Sequence, residues 1–167
     1  MGSWLGTEIS RNNSEKRLLQ ANEKLKEISI KDSLTQLYNR RHFETEFTQL
    51  LHMAKRQVQN ISLILLDIDN FKLINDRYGH SGGDDVLREI AQILIERTRR
   101  SDLIARYGGE EFVILLPDTD ESGAKCLTET IRKSIERHQW ANQGVTASFG
   151  IQTIDNNDIA TLEVESI

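Results

Sequence analysis

The sequence contains little cysteine or proline, and it has no long apolar run. Its single cysteine, Cys126, cannot form an internal disulfide, which favours a reducing compartment. The single proline among 167 residues permits long, uninterrupted helices. No stretch is apolar and long enough to cross a bilayer, and no charged-then-apolar leader for export is present. We therefore expect a cytoplasmic domain, although a longer parent protein could still be anchored in a membrane.

The sequence also has no excess of basic charge. It contains 21 lysine and arginine residues and 26 aspartate and glutamate residues, which give a net charge of −5. Proteins that bind nucleic acids usually present a basic field to the phosphate backbone, so we expect no nucleic-acid partner. A hydrophobic content of 38% and a charged content of 28% suit a soluble, folded protein, and the length suits one ordinary domain. Composition therefore excludes several classes of protein but indicates no activity.

A first helix is predicted from about Ser14 to Ile30. Its apolar residues alternate between spacings of three and four, which is typical of a coiled-coil seam, at Leu18, Ala21, Leu25 and Ile28. Two interpretations stay open: an amphipathic helix that lies on the domain, or a truncated coiled-coil linker. We expect residues 1–31 to form an N-terminal linker or signalling helix ahead of a domain that covers residues 32–167.

The rest of the chain alternates between helical and strand-like apolar patterns. The predicted elements are a helix from a cap at Asp32 or Ser33 to about Arg56, a buried strand Ile61–Leu66, a helix Gly82–Arg99, a hairpin of strands Leu103–Tyr107 and Glu111–Leu116, a helix Glu121–His138 and a strand Val145–Thr153. This order predicts an α/β sandwich of the α+β class, with helices flanking a mainly antiparallel, ferredoxin-like sheet.

Carboxylates occur at the end of the first predicted strand. Asp67 and Asp69 follow Leu66, and both point to the same face because side chains alternate along an extended segment. Neighbouring carboxylates repel each other and favour a cation between them. The alternative is a strand that simply ends in solvated polar residues.

The second acidic group is the turn Gly108–Glu111. Paired glycines reach backbone angles closed to other residues and leave space for a ligand against the main chain. Glutamate has low β propensity, so two acids after the turn are a poor choice for structure alone. If the hairpin lies beside the Asp67 strand, three or four carboxylates meet at one edge and suit Mg²⁺. The alternative is an exposed hairpin with a solvated acidic tip.

Between these groups, residues 70–84 are predicted to form a loop rich in polar side chains. Lys72 could neutralise phosphate charge, while Asn75 and Asp84 offer the amide and carboxylate edges that a purine such as guanine can pair with. Exposed N–H groups of such a loop could also bind phosphate oxygens as a nest.

Taken together, these motifs resemble the GGDEF-domain diguanylate cyclases. The signature stretch is Gly108–Phe112, preceded by Ala105–Tyr107. Further stretches stand in the family's order and spacing, at Asp32–Thr35, Leu37–Arg41, Asp67–Asp76, Gly79–His80 and Gly83–Asp84. The resemblance covers about Asp32 to Ile154. It implies a nucleotidyl-cyclase-type sandwich that condenses two GTP molecules into cyclic di-GMP and pyrophosphate.

The resemblance also implies a role for each matching residue. Asp67, Glu110 and the Ile68 carbonyl would hold Mg²⁺, with Mn²⁺ as the alternative metal, and Glu111 would support the site. Glu110 is also the candidate base for the ribose 3′-hydroxyl, and Lys72 would stabilise charge on the phosphates. The residues implied to bind the substrate are Phe71, Asn75, His80, Asp84, Gly108 and Gly109.

Arg99 and Asp102 match the family's Arg-x-x-Asp site for product inhibition. Arginine can stack on guanine and grip phosphate, while a carboxylate accepts from the edge of the base. The alternative is an ordinary ion pair at the end of a helix. Because each domain would hold one GTP, the resemblance implies a homodimer, and the sensory domain expected upstream is absent from this chain.

The chain departs from the family after its last strand, where another helix with basic residues is expected. Residues 161–167 are acidic instead, which implies weaker GTP binding and an exposed part of the sheet. Two functions therefore stay open: a diguanylate cyclase, or a catalytically impaired effector that binds cyclic di-GMP or GTP. The intact Gly108–Phe112 signature favours the enzyme, and the missing helix favours the effector.

Overall fold

The computed structural model describes residues 30–57, 59–141 and 144–154. Its elements are β1 (Tyr38–Asn39), α1 (Arg40–Gln57), β2 (Ile61–Ile68), α2 (Phe71–Arg97), β3 (Leu103–Arg106), β4 (Glu111–Pro117), α3 (Glu121–Arg137) and β5 (Ala147–Ile154). Apart from Ile30, the predicted N-terminal helix lies outside the described residues, and so does the acidic segment 161–167. None of the described helices is long and apolar enough to cross a membrane.

The strands form one sheet with the order β1-β3-β4-β2-β5. Only β1 and β3 pair in parallel, and the other neighbouring strands are antiparallel. From β2 to β5 the chain runs β-α-β-β-α-β, with β2 and β4 in the centre and β3 and β5 outside them, which is the ferredoxin-like arrangement. The predicted α+β sandwich on a mainly antiparallel sheet is confirmed.

The two faces of the sheet carry separate apolar clusters because side chains alternate along each strand. On one face, Ile64, Leu66 and Ile68 of β2 join the larger cluster with buried residues of α2 and α3. On the other face, Phe43 and Ala54 of α1 pack with buried residues of β3 and β4.

This second face is covered only in part. Leu65 is 44% exposed, and Asp67, two residues further along β2, is also exposed. The end of β2 that carries Asp67 therefore has an open face beside the α1 cluster.

The helix predicted to start at Asp32 or Ser33 starts later, at Arg40. Asp32 instead closes a turn, because its carboxylate accepts hydrogen bonds from the Thr35 N–H at 2.9 Å and the Thr35 hydroxyl at 2.7 Å. The side chain at the start of α1 that accepts from the backbone is Asn39, whose Oδ1 lies 2.9 Å from the His42 nitrogen. The predicted cap at Asp32 or Ser33 is therefore wrong, and Asn39 takes that position.

The predicted loop 70–84 is also wrong, since α2 starts at Phe71 and not at Gly82. Phe71 and Ile74 are buried, and Tyr78 is partly buried, so the spacing of three and four that marks a helix face is present here. The helix is kinked at Gly79, whose φ of 74° is the left-handed conformation that favours glycine. The polar residues of this segment hid the periodicity of its few apolar ones.

Candidate active site

Asp67 and Glu111 face each other across β2 and β4. The next pair in this register is hydrogen-bonded, because the Ile68 N–H donates to the Glu110 carbonyl at 3.4 Å. Asp67 and Glu111 therefore occupy a non-hydrogen-bonded position, where opposite Cα atoms are only about 4.5 Å apart. Both side chains are exposed, so two like charges share a narrow strip of the open face.

The same hydrogen bond holds Glu110 beside the end of β2. Within the described residues, the carboxylates of Asp67, Glu110 and Glu111 make no hydrogen bond or ion pair with another side chain. No three His, Cys, Asp or Glu side chains in these parts of the chain are grouped closely enough to hold a metal ion. The expected convergence of three or four carboxylates is therefore not present, and the observed feature is a cross-strand pair with Glu110 at its end.

Asp69 has a different environment from Asp67. Its carboxylate accepts hydrogen bonds from the hydroxyls of Thr146 and Ser148, each at 2.6 Å, and its N–H donates to the Thr146 carbonyl at 3.0 Å. These contacts connect the end of β2 to the start of β5, and each oxygen of the Asp69 carboxylate accepts one hydrogen bond. Of the two aspartates in the Asp-x-Asp motif, Asp67 is the one whose carboxylate has no hydrogen-bond partner among the described residues.

A shallow pocket of about 260 Å³ lies on this part of the open face. Asp67 and Glu111 line it together with Leu65 and the β5 segment Ser148–Gly150. Gly150 pairs with Leu65 in the β2–β5 register, and because it has no side chain the pocket is deeper at that point. The acidic pair therefore borders a concave surface.

The hairpin loop between β3 and β4 is closed by two bonds to one carbonyl. The N–H groups of Tyr107 and Gly108 donate to the Glu111 carbonyl at 2.8 and 3.3 Å. Among the described glycines only Gly79 has a positive φ, so the expectation that Gly108 and Gly109 adopt angles closed to other residues is wrong. An added Cβ at Gly108 would lie 2.6 Å from an oxygen of the Glu111 carboxylate, so a larger residue there would displace the Glu111 side chain.

Arg106 anchors this loop, and its role was not predicted from the sequence. Its Nε and Nη2 donate to the Gly109 carbonyl at 3.1 and 2.7 Å, and its Nη1 lies 3.2 Å from the Asp32 carboxylate. Burial by itself raises the pKa of Asp32, but hydrogen bonds from Thr35 and the Arg106 charge outweigh it, so this pKa is lowered. Both residues lie within the recognised motifs, but their separation of 74 positions gives no local signal of the pairing.

The start of α2 places two of the predicted substrate residues in contact with its second half. The Asn75 side chain lies against Gly83, where an added Cβ would be within 3.1 Å of the Phe71 ring as well. Asp84 directly follows Gly83 in the sequence. Phe71 is only 9% exposed and belongs to the core, so it supports Asn75 and Gly83 from inside and offers little surface to a ligand.

Lys72 and His80 are both exposed on α2. Lys72 lies in the first turn of the helix, five positions after Asp67. His80 follows the kink at Gly79, and no contact among the described residues joins it to Asn75 or Asp84.

Arg99 and Asp102 form a tight turn after α2. The Asp102 carboxylate accepts from the Arg99 N–H at 2.8 Å, and the Asp102 N–H donates to the Arg99 carbonyl at 3.1 Å. The helix-end ion pair considered as the alternative is not found, since the exposed Arg99 side chain makes no ion pair within the described residues. The turn therefore holds Arg99 by its backbone and leaves the guanidinium available.

The donors at the end of β2 suit Mg²⁺. It prefers oxygen ligands and typically takes one or two carboxylates, leaving its other positions to water and phosphates. A pair of carboxylates directly opposite each other is destabilising without a counter-ion. The residues present therefore fit a divalent cation.

Comparisons with known proteins agree with this arrangement. The family profile "Diguanylate cyclase, GGDEF domain" matches residues 29–164. Diguanylate cyclase A of Treponema denticola is 39% identical over 139 residues, which are 79% of this chain and 38% of that protein. Diguanylate cyclase DgcM of Escherichia coli is 43% identical over 139 residues, which are 81% of this chain and 33% of that protein. The chain thus spans less than half the length of these relatives.

A solved structure shows the same fold. The coiled coil and GGDEF domain of DgcB from Caulobacter crescentus, in complex with c-di-GMP, superposes with a TM-score of 0.74 and 28% sequence identity. The superposition covers 92% of this chain and 84% of that one.

Proposed function

Because the chain belongs to the GGDEF domain family of diguanylate cyclases, we propose that it condenses two GTP molecules into cyclic di-GMP with the aid of Mg²⁺. One observation supports this most strongly: Asp67 and Glu111 are exposed and directly opposite each other, and within the described residues neither carboxylate makes a hydrogen bond or ion pair with another side chain, the Arg40 charge being the one that acts on Glu111. Such a pair is unfavourable for folding alone. It is explained if the site binds a cation.

In this proposal Asp67, Glu110 and the Ile68 carbonyl would hold the metal, and Glu111 would support them. Bound Mg²⁺ would supply charge neutralisation at the triphosphate. The chemistry is in-line attack of a ribose 3′-hydroxyl on the α-phosphorus of the other GTP. Each new P–O bond breaks the bond to one leaving pyrophosphate, so two pyrophosphates leave per cyclic product, and the hydroxyl proton passes to the Glu110 carboxylate.

The start of α2 provides the groups for the phosphates. Asn70, which precedes the helix, has a left-handed backbone with a φ of 56° and makes no side-chain cap. The first amides of α2 are therefore not occupied by a capping side chain, and helix N-termini attract anions. Lys72, exposed in the same turn, adds a positive charge. These groups take the role that the sequence assigned to a phosphate-binding loop.

Guanine recognition is assigned to Asn75 and Asp84. The Asn75 side chain lies against Gly83, and Asp84 is the residue that follows Gly83. Together they offer the donor and acceptors that the guanine edge requires. His80 is a weaker candidate, because no contact among the described residues orients its side chain.

The decisive experiment incubates the chain with GTP and Mg²⁺ and measures cyclic di-GMP and pyrophosphate by chromatography. We expect product that disappears on chelation with EDTA and in Glu110→Gln. A chain that binds GTP or cyclic di-GMP but produces nothing would be the non-catalytic effector instead. Turnover unaffected by Glu110→Gln would contradict the roles of Glu110 as base and metal ligand.

We further propose that cyclic di-GMP inhibits the enzyme at Arg99 and Asp102. The turn presents the Arg99 guanidinium, and the related DgcB structure contains c-di-GMP. Arg99→Ala should weaken product binding by about tenfold or more, because a bidentate charged contact is lost. Isothermal titration with cyclic di-GMP measures this change, with Arg88→Ala as the control on an exposed surface of α2. Equal affinity of Arg99→Ala and the wild type would reject the inhibitory site.

A further inference from the structure

Arg40 has no part in the chemistry proposed above, although it lies near the acidic pair of Asp67 and Glu111. It is the first residue of α1, and its side chain is 61% exposed. The guanidinium carbon lies 4.6 Å from the centre of the Tyr107 ring, and Nε donates to the Glu44 carboxylate at 2.7 Å. Within the described residues its two Nη groups donate to no other group. A ligand can therefore reach two donors of a guanidinium whose position is already fixed.

The strand register places Arg40 in one row with the acidic pair. β1 and β3 pair in parallel, and one residue beyond their last pair Arg40 stands beside Tyr107. Tyr107 donates its N–H to the Glu111 carbonyl at 2.8 Å, and Glu111 lies opposite Asp67. The strand residues two positions from Tyr107 and Glu111 belong to the apolar cluster of the partly covered face, so these side chains point to that face as well. The row therefore crosses the open face from a cation to two carboxylates.

Arg40 is close enough to act on whatever binds at the acidic pair. Two strand spacings of about 4.8 Å separate it from Glu111 along the row, and an extended arginine side chain spans most of that distance. The hydrogen bond to Glu44 raises the pKa of Arg40 most, and the negative charge of Glu111 raises it further. An ion pair four residues along a helix is ordinary, but it occupies Nε alone and does not account for the place of the guanidinium on Tyr107. Such a charge opposes a bare metal cation at the pair and attracts an anion that the metal carries.

We propose that Arg40 binds a phosphate oxygen of the nucleotide beyond the α-phosphorus. This inference rests on the proposed function, which supplies the triphosphate and its metal. In that arrangement guanine is bound by Asn75 and Asp84 and Lys72 lies in the first turn of α2, so the base is on the α2 side of the acidic pair. Arg40 is on the opposite side, and the terminal phosphates are the part of GTP that is furthest from the base. A guanidinium suits them because it offers parallel N–H donors to two phosphate oxygens.

Arg40→Gln should change the affinities for metal and for nucleotide in opposite directions. It removes a positive charge near the acidic pair, so Mn²⁺ alone should bind about two to five times more tightly at low ionic strength. 3′-Deoxy-GTP with Mg²⁺ should bind about tenfold more weakly, because a charged contact to phosphate is lost. This analogue lacks the attacking hydroxyl and is therefore not consumed during the measurement. Isothermal titration of the variant and the wild type gives both affinities.

Three controls accompany this titration. GMP lacks the terminal phosphates, so its affinity should be the same for Arg40→Gln and the wild type. Arg40→Lys keeps the charge and should return the Mn²⁺ affinity to the wild-type value, while it restores only part of the affinity for 3′-deoxy-GTP. Arg132→Gln removes an arginine that also pairs with a glutamate of its own helix, on α3 against the other face of the sheet, and should leave both affinities unchanged.

The outcomes separate this inference from the proposed function. Weaker binding of both Mn²⁺ and 3′-deoxy-GTP to Arg40→Gln would show that Arg40 only maintains the loop through Tyr107, and would overturn the assignment. Unchanged affinity for 3′-deoxy-GTP would overturn it too, and so would an equal loss of affinity for GMP. A wild type that binds 3′-deoxy-GTP but forms no cyclic di-GMP from GTP would reject the proposed function and not the role of Arg40. A wild type that does not bind 3′-deoxy-GTP would reject both.

Discussion

Asp67→Asn should reduce cyclic di-GMP formation by about 10²–10³-fold, since a metal ligand supplies several kcal/mol of transition-state stabilisation. The same substitution should stabilise the metal-free protein. Asn removes one of two like charges that face each other across β2 and β4, and such a pair costs about 0.2–1 kcal/mol. Loss of activity together with a higher melting temperature is the expected signature.

The measurements are product formation with saturating Mg²⁺ and thermal unfolding in EDTA. Wild-type protein should gain stability when Mg²⁺ is added, and Asp67→Asn should gain less, because ligands that bind only the folded state stabilise it by mass action. A variant that loses activity but melts at a lower temperature in EDTA would show that Asp67 has a structural role.

Asp69→Asn is the matched control, two positions further along the chain. Its carboxylate is held by the hydroxyls of Thr146 and Ser148, so removing its charge weakens two short hydrogen bonds. We expect the free energy of unfolding to fall by about 1–2 kcal/mol, while most of the activity is retained. The two aspartate variants should therefore change stability in opposite directions. A loss of activity in Asp69→Asn as large as in Asp67→Asn would contradict this division of roles.

Much of the architecture could be predicted because its signals are local. The run Ile61–Leu66 is continuously apolar, and Gly108 and Gly109 separate two apolar segments, so strand and hairpin follow from short-range patterns. The acidic residues at both strand ends were visible in the same way. What the pattern could not supply was the register, which pairs Asp67 with Glu111 and leaves Glu110 at the end of the strand.

Long-range contacts explain the remaining differences. Asp67 and Asp69 look equivalent in sequence, and only the pairing of β2 with β5 brings Thr146 and Ser148 to one of them. Asp32 looks like a helix cap until the fold places Arg106 beside it. For Asp69 and Asp32 the sequence therefore suggested the wrong role, because residues 77 and 74 positions away supply contacts that no local pattern shows.

Arg106→Ala should lower the free energy of unfolding by about 2–4 kcal/mol, because it leaves the partly buried Asp32 carboxylate and the Gly109 carbonyl without their shared donor. The Arg106 and Asp32 side chains are only 18% and 22% exposed, so water replaces the lost contacts incompletely. Arg88→Ala is the control, since the ion pair of Arg88 with Asp85 is 51% and 67% exposed and should contribute less than about 1 kcal/mol. Urea titration of both variants measures the difference.

The pH dependence of this effect identifies its source. Since the pKa of Asp32 is lowered from 3.8 in the folded protein, its stabilising contacts are fully present above that pH and are lost as the pH falls through the folded pKa. The difference in the free energy of unfolding between the wild type and Arg106→Ala should therefore become smaller below about pH 4. It should not vanish, because the Gly109 carbonyl does not titrate. A difference that is constant from pH 7 to about pH 3 would mean that the ion pair contributes nothing and that Arg106 acts only through the hairpin loop.

In either case Glu110 should lose its fixed position beside Ile68, so Arg106→Ala should also weaken Mg²⁺-dependent GTP binding while the protein remains folded.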